Sequence, residues 1–235
     1  MENKQLKRGG GAHDEKEFYG ESIDKLRKAA EHIRYLINEG YDIKGASVFV
    51  GNHFLLSERQ RLALVRSISP DEKLCLRREK ECAADELVDK TVHIDGFNTI
   101  ITLEIALCRS LLLRCMDGTI RDLAGLRGTY RLINETQKAV EIIADALEHL
   151  KVKKAVFYLD APVSNSGRLK SLIENIWENH NTELEVNVIN DVDKTLQEKE
   201  CVITSDAIIL DKCKSWFNLI SLCIEKTEAV PVKVW

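Results

Sequence analysis

Residues 92–107 read VHIDGFNTIITLEIAL. A short β-branched run closes on Asp95, Gly96 supplies a turn, and apolar residues return at helical spacing over 99–107. That is a strand feeding directly into a helix. The same grammar recurs downstream. Strands are expected at 92–95, 111–116, 155–160, 184–190, 201–204 and 230–234. Helices are expected at 99–107, 133–150, 167–179 and 207–223, the last broken near Lys214. Strands alternating with helices predict an α/β fold, a Rossmann-like and mostly parallel sheet with helices on both faces. One departure is expected, because Asp117-Gly118 is a hairpin turn signal between two short apolar runs.

Upstream of residue 91 the pattern is purely helical. Ile23, Leu26, Ala30, Ile33, Leu36 and Ile37 follow three-and-four spacing up to Gly40, and a shorter helix is expected at 44–53. Ser57 with Gln60 forms a capping box for a third helix that Pro70 ends. The chain therefore divides into a mobile tail (1–18), an all-α N-terminal module (19–70), a charged helical linker (71–90) and the α/β domain (91–235). Arg59, Arg61 and Arg66 on the third helix would suit nucleic acid, but short three-helix units commonly serve as scaffolding and the basic excess is small.

Composition narrows the function classes. The 235 residues carry 34 Lys+Arg against 38 Asp+Glu, net −4, with 44% hydrophobic residues, an ordinary globular balance. Residues 1–80 hold 16 basic and 13 acidic side chains, net +3, and the remainder 18 and 25, net −7. An acidic body is where metal-binding carboxylates are to be sought. No apolar run approaches the ~20 residues of a membrane span, and the polar start does not resemble a signal peptide. Seven cysteines without a C-x-x-C pair fit a reducing, cytoplasmic setting and argue against structural zinc. No G-x-S-x-G elbow, Walker loop or G-x-G-x-x-G turn is present.

In open parallel sheets, ligands bind beyond the carboxyl ends of the strands. Aspartate stands there repeatedly: Asp95 after VHI, Asp160 after AVFYL, Asp191 and Asp193 after VNVIN, and Asp206 after CVITS. Each alone reads as a helix cap. Together they would repel one another unless a hard cation such as Mg²⁺ or Mn²⁺ sat among them. A second constellation lies in 109–131, where Arg109, Arg114, Arg121, Arg127 and Arg131 outnumber Asp117 and Asp122. With Gly125, Gly128 and Tyr130 it would suit single-stranded nucleic acid, or equally form structural ion pairs. Ser164 and Arg168, within PVSNSGR, would suit a phosphate at a helix start or an ordinary cap. His93, Trp177 and Trp216 read as packing or surface residues.

The succession IDGFN, FYLDAP, an acidic turn and VITSD resembles the NYN branch of the PIN-like nucleases over residues 91–235. The whole chain also resembles a prokaryotic family in which a helical portion precedes such a domain. The resemblance implies a PIN-like fold with Asp95, Asp160 and Asp206 as catalytic and metal-binding carboxylates and Asn98 as a polar positioning group. Asp191, favoured over Asp193 for its place directly after the strand, would complete the ligand set. The implied activity is a metal-dependent phosphodiesterase acting on RNA through a Mg²⁺- or Mn²⁺-activated water. Outside that resemblance, this chain's own Arg114, Arg121, Arg127, Tyr130, Arg131, Ser164 and Arg168 are the residues expected on the nucleic acid. The alternatives are a non-catalytic adaptor binding nucleic acid or a nucleotide on the same rim, and a small-molecule phosphatase. A homodimer through an apolar helix face is compatible with the sequence, whereas a membrane partner is not expected.

Overall fold

The computed structural model describes residues 8–125 and 128–235. The expected α/β core is present. Strands β1 (Thr91–Asp95), β4 (Lys154–Asp160), β5 (Glu183–Ile189) and β6 (Val202–Ile203) form one parallel sheet in the order β5-β4-β1-β6. β4 is buried throughout its middle, which explains its unbroken apolar run.

Alternation along the strands divides two cores. Val92, Ile94, Ala155, Phe157 and Leu159 pack against α6 (Gly96–Leu107), α7 (Asn134–His149), α8 (Ser166–Trp177) and α11 (Leu219–Ile224). Val156, Tyr158 and Val202 turn the other way, onto α9 (Val192–Leu196), α10 (Ala207–Lys212) and Trp216. Each fully buried Ile, Leu or Phe contributes about 1.5–3 kcal/mol of transfer free energy, so both faces must be covered. His93 belongs to the second face, where its Nδ1 lies 3.0 Å from the Tyr158 hydroxyl.

Gly96 shows why a glycine follows the first strand. A Cβ there would stand 2.5 Å from Leu159 Cδ2 and 3.0 Å from the Tyr158 carbonyl oxygen. Gly96→Ala is expected to cost about 1–3 kcal/mol by overpacking, read as an earlier midpoint in urea unfolding. An unchanged midpoint would show that Leu159 yields freely.

The hairpin also forms. β2 (Leu112–Arg114) and β3 (Ile120–Asp122) pair antiparallel, with Gly118 at φ +80° in the turn. One face of it completes the core of the helical segment, where Leu111, Leu113, Cys115 and Leu123 meet Phe18, Leu26, Ile33, Ala63 and Leu64. Those residues come from α1 (Asp14–Phe18), α2 (Glu21–Asn38) and α4 (Glu58–Ser67), beside α3 (Ile43–His53), and α5 (Asp71–Glu79) follows in the expected linker. The capping box on α4 is present: Gln60 N donates to Ser57 Oγ, and Ser57 N donates to Gln60 Oε1.

Two expectations are corrected. The 230–234 strand is reduced to a single bridge, Val232 beside Leu113; the carbonyl of Arg114, the next acceptor along that ladder, takes a hydrogen bond from Trp235 Nε1 at 2.7 Å instead. Residues 8–18, expected within a mobile tail, are docked. Phe18 is fully buried, Asp14 pairs with Arg59, and Arg8 pairs with the buried Glu104. The rest of that expected tail, residues 1–7, lies outside the described residues. Among the described residues no helix is long and apolar enough to cross a membrane, and all seven cysteines carry free thiols.

Candidate metal centre

The helices after β1 and β6 leave on opposite faces of the sheet, α6 onto the first core and α10 onto the second. Adjacent strands with diverging connections open a crevice at their carboxyl ends. Asp95 and Asp206 stand on its two sides. Together with Asp160 and Asp193 they line a cavity of ≈ 300 Å³, whose other walls are Leu62, Arg66, Phe97, Asn98, Ile101, Asp122 and Gly125.

The register fixes the innermost contact. Ile94 is paired with Ile203, so Asp95 meets Thr204, whose hydroxyl donates to Asp95 Oδ2 at 2.8 Å. Asp95 occupies the N-cap position of α6 yet makes no side-chain capping bond. Its carboxylate is therefore not spent on the helix, which separates it from an ordinary cap. Asp206 does cap: its Oδ1 accepts from Ile208 N at 2.8 Å and from Ile209 N at 3.2 Å. Asn98 Oδ1 accepts from both the backbone N (3.0 Å) and the hydroxyl (2.8 Å) of Ser205, tying α6 to the turn that carries Asp206.

The electrostatics follow from this crowding. Burial, together with the charges of Asp206, Asp193 and Asp160, outweighs the Thr204 hydrogen bond and lifts the Asp95 pKa to about 7. Desolvation also raises Asp160, and it raises Asp193 with help from Asp206 and Asp160. Among the described residues lining this cavity, Arg66 is the single cation against five aspartates.

After β5 it is Asp193, not the favoured Asp191, that lines this cavity, although both line the adjoining depression together with Asp160. Asp191 adopts a left-handed backbone before α9 (φ 58°) and lines that depression with Pro162, Asn190 and Gln197, whereas the first turn of α9 carries Asp193 to the cavity rim. Two further expectations fail on burial. Arg121 is 7% exposed and donates Nε to the Ser205 carbonyl at 2.6 Å and Nη2 to Asp117. Tyr130 is 1% exposed with its hydroxyl on Glu104 at 2.7 Å. Neither can reach a nucleic acid. The Ser164 hydroxyl is likewise engaged, accepting from Tyr130 N and donating to Tyr130 O, both at 2.9 Å. Arg131 and Arg168 are exposed, Arg114 is half-buried, and Arg127 lies outside the described residues.

The donor set is all oxygen, which fits a hard divalent cation. Among the described residues no three His, Cys, Asp or Glu are gathered closely enough to hold an ion unaided. Mg²⁺ commonly keeps several waters and takes only one or two protein carboxylates alongside substrate phosphates. An open rim of aspartates suits that mode better than a closed cage.

A domain of unknown function, DUF5616, matches residues 84–222, more than half of the chain. The chain belongs to the DUF5616 family. Ahead of its DUF5616 region, residues 25–80 match a second model, DUF434, described as a protein of unknown function. A Methanocaldococcus jannaschii relative, described as "Uncharacterized protein MJ0935", is 36% identical over 202 residues, covering 85% of this chain and 97% of that protein. No solved structure matches the chain. The DUF5616 region supplies all four aspartates, while the helix bearing Leu62 and Arg66 lies within the DUF434 match.

Proposed function

We propose that this chain is a metal-dependent phosphodiesterase of the PIN-like type acting on RNA, with Asp95, Asp160, Asp193 and Asp206 as its carboxylates. The observation that carries the reading is Asp95. A buried carboxylate that caps nothing and faces three others is costly to ionise, and a divalent cation relieves that cost. The PIN-like character of the sheet is part of the proposal and is supported by the strand ends IDGFN, FYLDAP and VITSD.

Asp95 and Asp206, on opposite sides of the crevice, would hold the cation, with Asp160 and Asp193 at its rim. A bound Mg²⁺ or Mn²⁺ would supply an activated water and neutralise charge developing on the phosphate. The chain's own part is to fix these oxygens. Thr204 holds the orientation of Asp95, the α10 N–H groups hold Asp206, and Asn98 clamps the turn between them. No covalent nucleophile is required.

The test is cleavage of end-labelled single-stranded RNA with Mn²⁺. Asp193→Asn should lower kcat/KM by about 100-fold or more, as loss of several kcal/mol of charge stabilisation would, and Asp191→Asn should change it by less than about threefold. The reverse ranking would overturn the assignment of the fourth carboxylate. A second reading, a non-catalytic nucleic-acid-binding adaptor, is favoured by Asp206, whose capping bonds give it a structural purpose. It predicts RNA binding that none of the aspartate substitutions changes.

A further inference from the structure

The α4 helix reaches the carboxylate cavity with two residues one turn apart, Leu62 and Arg66, so both project from the same face. Arg66 is 37% exposed at its side chain, and its Nη1 bonds the Asp122 carbonyl and lies 3.6 Å from Asp122 Oδ1. Among the described residues Nη1 is the only engaged nitrogen of that guanidinium, leaving Nε and Nη2 for another acceptor. Its backbone is pinned by Arg121, which donates Nη1 to the Arg66 carbonyl. The neighbouring arginines on α4 are committed elsewhere: Arg59 to Asp14, Gly9 and Leu123, and Arg61 to Leu56 and Asn52.

Beside Arg66 the cavity wall is apolar. Leu62 is 41% exposed and Ile101 of α6 is half-buried, whereas Phe97, which also lines the cavity, is only 6% exposed. The cavity thus has a carboxylate side, an apolar side and one arginine fork. That combination fits a single nucleotide unit of a polymer: an anionic phosphate between cation and guanidinium, and an unstacked base and sugar on aliphatic surface.

We infer that the helical segment is a wall of the substrate site, in which Arg66 binds a phosphate of single-stranded nucleic acid and Leu62 and Ile101 receive the adjacent nucleoside. This rests on the phosphodiesterase reading and assigns its substrate contacts to α4. It also gives a reason for the DUF434 and DUF5616 regions to occur in one chain, since each contributes one side of the same cavity.

The experiment is fluorescence anisotropy of a short single-stranded RNA on the full chain with Ca²⁺, comparing wild type with Arg66→Ala, Arg66→Lys, Asp122→Asn and Leu62→Ala, each first checked for an unchanged melting curve. Arg66→Ala should weaken binding about tenfold, the worth of one charge-assisted contact, and reduce the salt slope by about 0.7, the value for one phosphate contact on a single strand. Arg66→Lys should restore that slope. Asp122→Asn should leave binding equal or tighter, because it removes a competing carboxylate 3.6 Å from Arg66 while the backbone carbonyl there still holds Nη1; a purely structural Arg66–Asp122 ion pair would instead make Asp122→Asn as harmful as Arg66→Ala. Leu62→Ala should weaken RNA but not a strand of abasic sites. Wild-type binding with Arg66→Ala unaltered would overturn this inference and leave the phosphodiesterase reading standing. Absence of wild-type binding to single-stranded nucleic acid would overturn both.

Discussion

Asp95→Asn should make the metal-free protein more stable at about pH 8, by up to about 4 kcal/mol, or on the order of 10 °C in Tm, while abolishing RNA cleavage. In the unfolded chain Asp95 ionises near its ordinary value of about 3.9, but in the folded chain burial and its aspartate neighbours raise its pKa to about 7. At low pH both states hold the proton and nothing is lost. As pH rises past the unfolded value only the unfolded state ionises, so stability falls until the folded pKa is passed. Above that the full penalty applies. Asn cannot ionise and can still accept from Thr204, so the variant should escape the loss. The stability difference should fade toward about pH 4, below which the wild type is protonated in both states. Chelator-treated melts of both proteins across this range provide the check, and a variant less stable at every pH would show that the Asp95 carboxylate supports the fold.

Arg121→Met is expected to have the largest destabilising effect, about 3–5 kcal/mol. Arg121 is held by three elements at once: Asp117 in the hairpin turn, the Arg66 carbonyl at the end of α4, and the Ser205 carbonyl in the turn carrying Asp206. Burial works to raise the Asp117 pKa, but Arg121, Thr119 and Arg77 together bring it below the usual carboxylate range. Removing Arg121 leaves this buried charge to Arg77, 2.6 Å away, and the two Thr119 hydrogen bonds, and strips two carbonyls of their donor. Urea unfolding measures the loss. A double variant, Arg121→Met with Asp117→Leu, should recover part of it, since removing both partners avoids the uncompensated charge. A loss below about 1 kcal/mol in the single variant would mean that Arg77 suffices.

The centre of the sheet was legible because β4 is buried on both faces and stands out as an apolar run; it and its closing Asp160 could be read directly from AVFYLD. The break before α11 and the Asp117-Gly118 hairpin were equally visible, each being set by local turn chemistry. Burial of charge was not legible. Arg121 and Tyr130 look like surface readers in a basic stretch, and only the tertiary structure places partners around them. Asp191 and Asp193 are two residues apart, and the choice between them depends on a left-handed backbone that the sequence does not announce. Leu62 and Arg66 carry helical periodicity but no sign that their face meets residues thirty and more positions downstream.

The central claim is that the four-aspartate rim takes a divalent cation. Calorimetric titration of Mn²⁺ into the chelator-treated full chain, with short single-stranded RNA present and against the Asp95→Asn/Asp206→Asn double variant, tests it most directly. The account predicts saturable binding by the wild type, with proton release near pH 6, where Asp95 still holds its proton, and loss of that binding in a variant that still melts cooperatively. Wild-type protein that takes up no Mn²⁺, or a double variant that binds it equally well, would contradict the account.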